Sequence, residues 1–255
     1  MTIAIIPARM ASTRFPGKPL ALIHGIPMIG HCYYRSKMST CLDGVYIATC
    51  DEEIREYADS IGAPCIMTAD THERASDRIA EAMVKIEEST KHQHEIIVLV
   101  QGDEPMLHPE MIAAAVSALQ VDADVLVANG FASINSIDQF NDPNEVKVVI
   151  DSRSDAIYFS REPIPSKKKW EGHVSMFKQV CIIPFRRDYL LEFNETPQTI
   201  LEKIESIDML RILENGKKIR MVEMFHETYS VDTQSDLDYV KNLMVDDSLM
   251  ANYSN

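Results

Sequence analysis

The sequence predicts an α/β fold with a mixed, mainly parallel sheet and helices on both faces. Short apolar runs rich in β-branched residues alternate with segments in which apolar residues recur at helical spacing. This alternation is typical of βαβ units, in which a helix returns the chain so that successive strands run parallel. Of the 255 residues 45% are hydrophobic, which is enough for one large core. We therefore expect a single domain over residues 1–255.

The first half of the chain contains the parallel strands and their helices in order. The opening strand, residues 2–6, is an apolar run that ends at Pro7. In the helix predicted over 51–60, Ile54, Tyr57 and Ala58 share one face, and Gly62 follows as a C-terminal cap. The other predicted elements are helices at 27–37 and 76–88 and strands at 44–48, 64–67 and 95–100.

The pattern changes over residues 125–190. Predicted strands at 125–131, 146–151 and 156–160 follow one another without intervening helices, which favours antiparallel pairing. We expect a small antiparallel excursion here. Helices are expected to follow at 206–215, ended by Gly216, and at 233–244.

Charge and cysteine usage exclude several classes of protein. Lys and Arg number 25 against 39 Asp and Glu, a net charge of −14 that disfavours binding to nucleic acid. No apolar run approaches a membrane span, and no signal peptide precedes Pro7, so no membrane partner is expected. The five cysteines are odd in number and lack CxxC spacing, which indicates reduced thiols and a cytoplasmic location.

A loop rich in cations follows the first strand. Arg9, Arg14 and Lys18 lie within ten residues, together with Ser12. Open parallel sheets bind ligands beyond the carboxyl ends of their strands, and cations there suit a polyphosphate. The loop is not a Walker A motif, because Pro19 stands where a hydroxyl residue should follow the lysine. The alternative is a surface loop with incidental basic residues.

Two carboxylates are candidates for holding a metal ion. Asp103 follows the strand at 95–100, where a carboxylate beside a glycine suits Mg²⁺, and the alternative is an ordinary turn with exposed acidic residues. Asp232 precedes the last helix, and taken alone this stretch predicts a helix N-terminus with Asp232 or Thr233 as its N-cap. At the start of the helix at 76–88, Arg78 could add a phosphate or sugar contact.

Together these features favour transfer of a nucleotidyl group. The cations suit a triphosphate, the carboxylates suit Mg²⁺, and no nucleophile–base pair is evident. In such a reaction an acceptor oxygen attacks the α-phosphorus and pyrophosphate leaves, with catalysis by positioning and electrostatics.

The chain resembles the 3-deoxy-manno-octulosonate (Kdo) cytidylyltransferases nearly end to end. The resemblance is carried by IIPARMASTRFPGKPL (5–20), SDRIAE (76–81), VQGDEPM (100–106), DPNEVKVVIDSRSDAIYFSREPIP (142–165) and VDTQSDL (231–237). It implies a glycosyltransferase-A-like, Rossmann-like fold and a homodimer. It also implies Mg²⁺-dependent transfer of CMP from CTP to the anomeric hydroxyl of a 2-keto sugar acid, for lipopolysaccharide biosynthesis.

The resemblance also implies residue roles. Lys18, Asp103 and Asp232 would be catalytic, with both aspartates binding the metal. The nucleotide-binding residues would be Arg9, Ser12, Arg14, Lys18, Arg78 and Gln101, the last of them near the cytosine. The antiparallel subregion over residues 125–190 would serve dimerisation and bind the sugar, and the sugar-binding residues would be Arg161, Gln179, Glu202 and Glu205.

Departures from the family pattern cluster near the expected sugar. The family's histidine and tyrosine in one strand are here Gln179 and Ile183, so a neutral amide replaces a titratable ring. The acceptor therefore stays open among Kdo, 8-amino-Kdo and other acidic sugars. A non-catalytic nucleotide-binding module is the alternative from a different class.

Overall fold

The computed structural model describes residues 1–11 and 14–254 and divides the chain into two compact units. Unit 1 is Met1–Ala113 together with the C-terminal segment that begins at His226, and unit 2 is Ala114–Phe225. Among the described residues, no helix combines the length and apolarity that a membrane crossing requires.

The strands alternate with helices through unit 1 and are clustered in unit 2. In chain order the strands are β1 (Thr2–Ala8), β2 (Leu22–Ile23), β3 (Ile26–Pro27), β4 (Gly44–Thr49), β5 (Cys65–Met67), β6 (Ile96–Val100), β7 (Ala128–Ser133), β8 (Lys147–Ile150), β9 (Ala156–Ser160), β10 (Phe177–Val180), β11 (Ile182–Arg186) and β12 (Arg220–Glu223).

The helices follow the same order. They are α1 (Met28–Lys37), α2 (Glu52–Ser60), α3 (Ala75–Thr90), α4 (Pro109–Val121), α5 (Ile137–Asn141), α6 (Arg187–Glu195), α7 (Ile200–Glu205), α8 (Met209–Glu214) and α9 (Gln234–Leu243), with short 3₁₀ helices at Lys18–Leu20 and Met250–Asn252.

The parallel sheet of unit 1 is built around β1. Strand β1 pairs in parallel with β4 on one side and with β6 on the other, and β4 pairs in parallel with β5. All seven residues of β1 are buried, as its apolar run predicts. Because the strands are parallel, their carboxyl ends lie at one edge, so the loops that leave β1 and β6 emerge side by side. The predicted parallel sheet and its helices are confirmed.

The sheet of unit 2 has the strand order β12-β7-β10-β8-β9. The pairs β7–β10, β10–β8 and β8–β9 are antiparallel, which confirms the pairing predicted for this region, while β12 joins β7 in parallel. Two features differ from the prediction. Strand β10 lies between β7 and β8, and the short helix α5, capped by the side chain of Ser136, interrupts the run of strands.

The helix predicted over 206–215 is wrong in its boundaries. Helix α7 ends where Ser206 adopts a left-handed conformation with φ of 56°, and α8 begins at Met209. Helix α7 starts at a capping box in which Thr199 and Glu202 bond to each other's backbone N–H. Helix α8 therefore begins three residues later than predicted, and α7 lies before it in a stretch that had no predicted helix.

A buried ion pair joins α7 to α8. Arg211 donates through Nε and Nη2 to the two oxygens of Glu202 at 2.7 and 2.6 Å, and Glu202 has no exposed surface. Arg211 also donates through Nη1 to the carbonyl oxygens of Phe193 and Thr196, and its guanidinium lies over the Phe193 ring. The pair thus connects α6, α7 and α8, and both of its side chains are buried.

We expect Glu202→Gln to destabilise the protein strongly. The amide cannot neutralise the enclosed guanidinium, and breaking a buried ion pair on one side costs about 3–5 kcal/mol. The free energy of unfolding, measured by urea titration with circular dichroism, checks this. Asp188→Asn is the control, because Asp188 pairs with Arg187 at the surface and its loss should cost less than about 1 kcal/mol. Equal effects of the two substitutions would contradict the structural role of Glu202.

Candidate active site

A cleft of about 700 Å³ opens in unit 1 where β1 and β6 end. The loops after these two strands and the N-terminal end of α3 line it, together with Asp232. Among the described residues that line the cleft, the basic side chains are Arg9, Arg14, Lys18, Arg74 and Arg78, and the acidic side chains are Glu73, Asp103 and Asp232. Basic side chains therefore outnumber acidic ones here, although the chain as a whole carries −14.

The loop after β1 is held in shape by its own backbone and by one carboxylate. Gly17 adopts the left-handed conformation at φ of 73°, and its N–H donates to the carbonyl oxygen of Met10 at 3.1 Å. The N–H of Met10 donates to Asp51, at the end of the neighbouring strand, at 2.7 Å. The turn at Gly17 leads directly into the 3₁₀ helix that begins with Lys18.

The two candidate metal ligands converge on one ammonium group. Lys18 Nζ donates to Asp103 Oδ2 at 2.7 Å and to Asp232 Oδ1 at 3.3 Å. Arg14 Nη2 reaches the same Asp232 oxygen at 3.0 Å. The backbone N–H of Val231 donates to the carbonyl oxygen of Asp103 at 2.9 Å, which fixes the two acidic segments side by side. Residues that are distant in sequence thus meet at one point.

Lys18 is kept charged in this position. Burial lowers the pKa of Lys18, but the charges and hydrogen bonds of Asp103 and then Asp232 outweigh burial, so its pKa lies above the ordinary value. The two carboxylates thus stabilise a positive charge that lies between them. Carboxylate oxygens are the ligands that Mg²⁺ prefers, so the donor set of Asp103 and Asp232 fits this ion.

Thr233, and not Asp232, caps helix α9. The Thr233 hydroxyl accepts from the N–H of Asp236 at 3.2 Å, and the Asp236 carboxylate accepts from the N–H of Thr233 at 2.8 Å. Of the two caps that the sequence allowed, the structure selects Thr233. The carboxylate of Asp232 is therefore directed to Lys18 and Arg14.

Arg78 reaches the cleft from α3 and is almost fully buried. Its Nη1 donates to the Thr68 hydroxyl and to the carbonyl oxygen of Ala69. Its Nη2 is buried and has no hydrogen-bond partner among the described residues. A buried guanidinium N–H without a partner is costly, so a ligand acceptor in the cleft would satisfy it.

Of the other residues expected to bind the nucleotide, two line the cleft and one is not described by the structure. Gln101 and Arg9 line the cleft, Gln101 half-buried and Arg9 exposed. Ser12 lies outside the described residues. Arg74, which the sequence pattern did not indicate, lies just before α3 and lines the cleft. Its position at a helix start, four residues before Arg78, is the signal that could have indicated it.

The residues expected to bind the sugar lie in unit 2, and the structure pairs two of them. Glu205 accepts from the backbone N–H of Arg161 at 2.9 Å and from the Ser160 hydroxyl at 2.8 Å, while Arg161 Nε donates to the Glu205 carbonyl at 2.8 Å. Gln179 donates to Asn129 Oδ1 at 2.6 Å. The expectation that Glu202 binds the sugar is corrected by the structure. Its carboxylate is bound by Arg211 and has no exposed surface that a sugar could contact.

A cation-rich loop and two convergent carboxylates at the ends of parallel strands are the arrangement expected of a nucleotidyltransferase, and comparison with known proteins shows the same class. The family model described as cytidylyltransferase matches residues 3–219. The 3-deoxy-manno-octulosonate cytidylyltransferases of Geobacter metallireducens and Pelobacter propionicus are 44% and 43% identical to this chain. The alignments cover 93% and 92% of this chain and 95% and 93% of those proteins.

A solved structure agrees with these relatives. The CMP:2-keto-3-deoxy-manno-octonic acid synthetase complexed with CTP is 36% identical and superposes with a TM-score of 0.86. The match covers 95% of this chain and 98% of the synthetase chain. The chain therefore belongs to the 3-deoxy-manno-octulosonate cytidylyltransferase family.

We expect Gly102→Ala to destabilise unit 1, because Gly102 lies where two strand ends approach closely. An added Cβ would come within 2.9 Å of Ile29 Cδ1 and 3.1 Å of the carbonyl oxygen of Pro7. Overpacking of this kind costs about 1–3 kcal/mol. Urea unfolding measures the loss, and an unchanged midpoint would contradict the close approach.

Proposed function

We propose that this protein transfers CMP from CTP to the anomeric hydroxyl of Kdo or a closely related 2-keto sugar acid and releases pyrophosphate. The observation that carries the proposal is the meeting of Lys18 with Asp103 and Asp232 in a cleft rich in basic side chains. The named activity of the relatives supports the same reaction. The product would serve lipopolysaccharide biosynthesis, and we place the protein in the cytoplasm as a homodimer.

The basic side chains would bind the triphosphate and stabilise its departure. The oxygen of the anomeric hydroxyl attacks the α-phosphorus, the bond from the α-phosphorus to the oxygen that bridges it to the β-phosphorus breaks, and the hydroxyl proton passes to solvent. Negative charge then accumulates on the leaving pyrophosphate, where Arg9, Arg14 and Lys18 would compensate it. Bound Mg²⁺, held by Asp103 and Asp232, would polarise the phosphate and acidify the acceptor hydroxyl.

The remaining nucleotide-site residues would orient the substrate. Arg78 has a buried Nη2 to offer an acceptor, and it is held rigidly by Thr68 and Ala69. Gln101, with a neutral amide that both donates and accepts, suits the edge of a cytosine. Positioning by such groups lowers the entropic cost of reaching the reactive arrangement.

The acceptor end of the proposal rests on Arg161, Glu205 and Gln179. The Arg161 guanidinium donates through Nε to the carbonyl oxygen of Glu205 at 2.8 Å and through Nη1 to that of Pro143 at 2.9 Å. These bonds fix its orientation, and its remaining N–H groups would pair with the carboxylate of a sugar acid. Gln179 is a neutral amide and does not change its charge with pH. Both Kdo and 8-amino-Kdo therefore remain candidate acceptors.

The alternative is a module that binds a nucleotide without turnover. Binding alone needs the basic side chains but not two carboxylates, which repel an anionic ligand unless a cation compensates them. The convergence of Asp103 and Asp232 on one cation therefore favours the enzyme.

We expect Asp103→Asn and Lys18→Ala each to lower the rate of pyrophosphate release from CTP roughly 100-fold or more, because each removes charge from the reacting centre. A coupled pyrophosphatase assay with CTP, Mg²⁺ and Kdo measures the rate, and circular dichroism checks the fold. Asp188→Asn and Lys217→Ala are matched controls, since both are surface residues outside the cleft. Folded variants that turn over like wild type would overturn the mechanism.

We expect the unmodified protein to form a CMP-sugar with Kdo or 8-amino-Kdo, identified by mass spectrometry of the product. A sugar lacking the carboxylate should not react, because nothing then pairs with Arg161. CTP binding without product across a panel of sugar acids would favour the nucleotide-binding module. Product with a neutral sugar would remove Arg161 from its proposed role.

A further inference from the structure

A cluster of two histidines and one glutamate lies in unit 1 outside the candidate active site. His108 immediately precedes α4, Glu110 belongs to its first turn, and His226 begins the C-terminal segment. One potential ligand atom of each residue lies within 4.8 Å of the other two. His226 Nε2 and Glu110 Oε2 are 3.1 Å apart, and His108 Nδ1 and Glu110 Oε2 are 3.9 Å apart.

The cluster combines stacked rings with one buried nitrogen that has no partner. The rings of His108 and His226 have centroids 3.7 Å apart and planes 10° from parallel, so one ring must turn about its Cβ–Cγ bond before both can face a common ion. Nδ1 of His108 is buried and has no hydrogen-bond partner among the described residues. An imidazole nitrogen in that position lacks the compensation that buried polar atoms normally have. Burial, and then the neighbouring His226, lower the pKa of His108, which favours the neutral ring.

The three groups match the donors of a transition-metal site. Bonds of about 2.1 Å in tetrahedral geometry separate neighbouring ligand atoms by about 3.4 Å. The observed separations of 3.1 and 3.9 Å lie on either side of that value. Two imidazoles and one carboxylate suit Zn²⁺ and its neighbours, whereas Mg²⁺ prefers oxygen ligands alone.

We propose that His108, Glu110 and His226 bind a divalent transition-metal ion, at a site separate from the pair formed by Asp103 and Asp232. The fourth position would be taken by water, since only three protein ligands are present among the described residues of the cluster. The proposal does not depend on the proposed function.

The ion would fasten two segments that also carry the acidic pair. His108 lies five residues after Asp103, and His226 lies six residues before Asp232. Between these points the segments are already joined by the hydrogen bond from the Thr228 hydroxyl to Glu104 at 2.8 Å. Metal binding adds a further link between the same two segments and so stabilises the folded state by mass action.

Titration of the full-length protein with Zn²⁺ and Co²⁺ tests the proposal. The protein is first freed of metal with a chelator, and Mg²⁺ is then kept in large excess to compete at the acidic pair. We expect isothermal titration calorimetry to show that one equivalent of Zn²⁺ binds, and Zn²⁺ to raise the melting temperature. With Co²⁺ we expect visible absorption bands of the kind given by an ion of low coordination number.

Substitutions locate the ion. His108→Ala and His226→Ala should each weaken Zn²⁺ binding on the order of 100-fold. Glu110→Gln should weaken it at least about 10-fold, and because the Glu110 side chain is exposed, this substitution does not threaten folding. His92→Ala, an exposed histidine elsewhere, is the control and should bind like wild type, as should Asp103→Asn.

Several results would overturn the proposal. Unchanged affinity in the folded Glu110→Gln and histidine variants would remove these residues as ligands. Loss of binding in Asp103→Asn would assign the ion to the acidic pair. An intense near-ultraviolet thiolate band with Co²⁺ would assign it to one of the five free cysteines. Absence of binding by the wild-type protein would exclude the site.

Discussion

Parallel pairing of β1 with β6 is the constraint on which the candidate active site depends. Because both strands point the same way and lie side by side, the loop that carries Lys18 and the loop that carries Asp103 leave the sheet at one edge. The C-terminal segment then returns to the same edge, where Val231 hydrogen-bonds to the backbone of Asp103. Neither the cations nor the carboxylates would meet without this register.

Electrostatics explains how an acidic protein can serve an anionic substrate. The net charge of −14 describes the whole chain, whereas five of its basic side chains line one cleft. Interactions over a few ångströms in a partly buried cleft outweigh those of distant surface charges, which salt screens over about 8–10 Å. The sequence already indicated this local concentration, because Arg9, Arg14 and Lys18 lie so close together in the chain.

Features encoded by local patterns could be predicted, and features made by long-range contacts could not. The apolar runs predicted the parallel strands, and the cation loop predicted where a polyphosphate would bind. Glu202 was placed at a sugar pocket by resemblance, but its enclosure depends on Arg211 and on a capping box that the pattern does not reveal. His108 and His226 are 118 residues apart in the chain, so only the fold could bring their rings together.

At the start of α9, capping of the helix and binding in the cleft are carried out by different, neighbouring residues. Thr233 and Asp236 satisfy the free N–H groups at the helix start, which leaves the carboxylate of Asp232 uncommitted to the backbone. The helix end can therefore be re-engineered with other capping residues, such as serine or asparagine, without touching the acidic pair. Stability and chemistry at this corner of the molecule are modular, although Asp232 and Thr233 are adjacent in the chain.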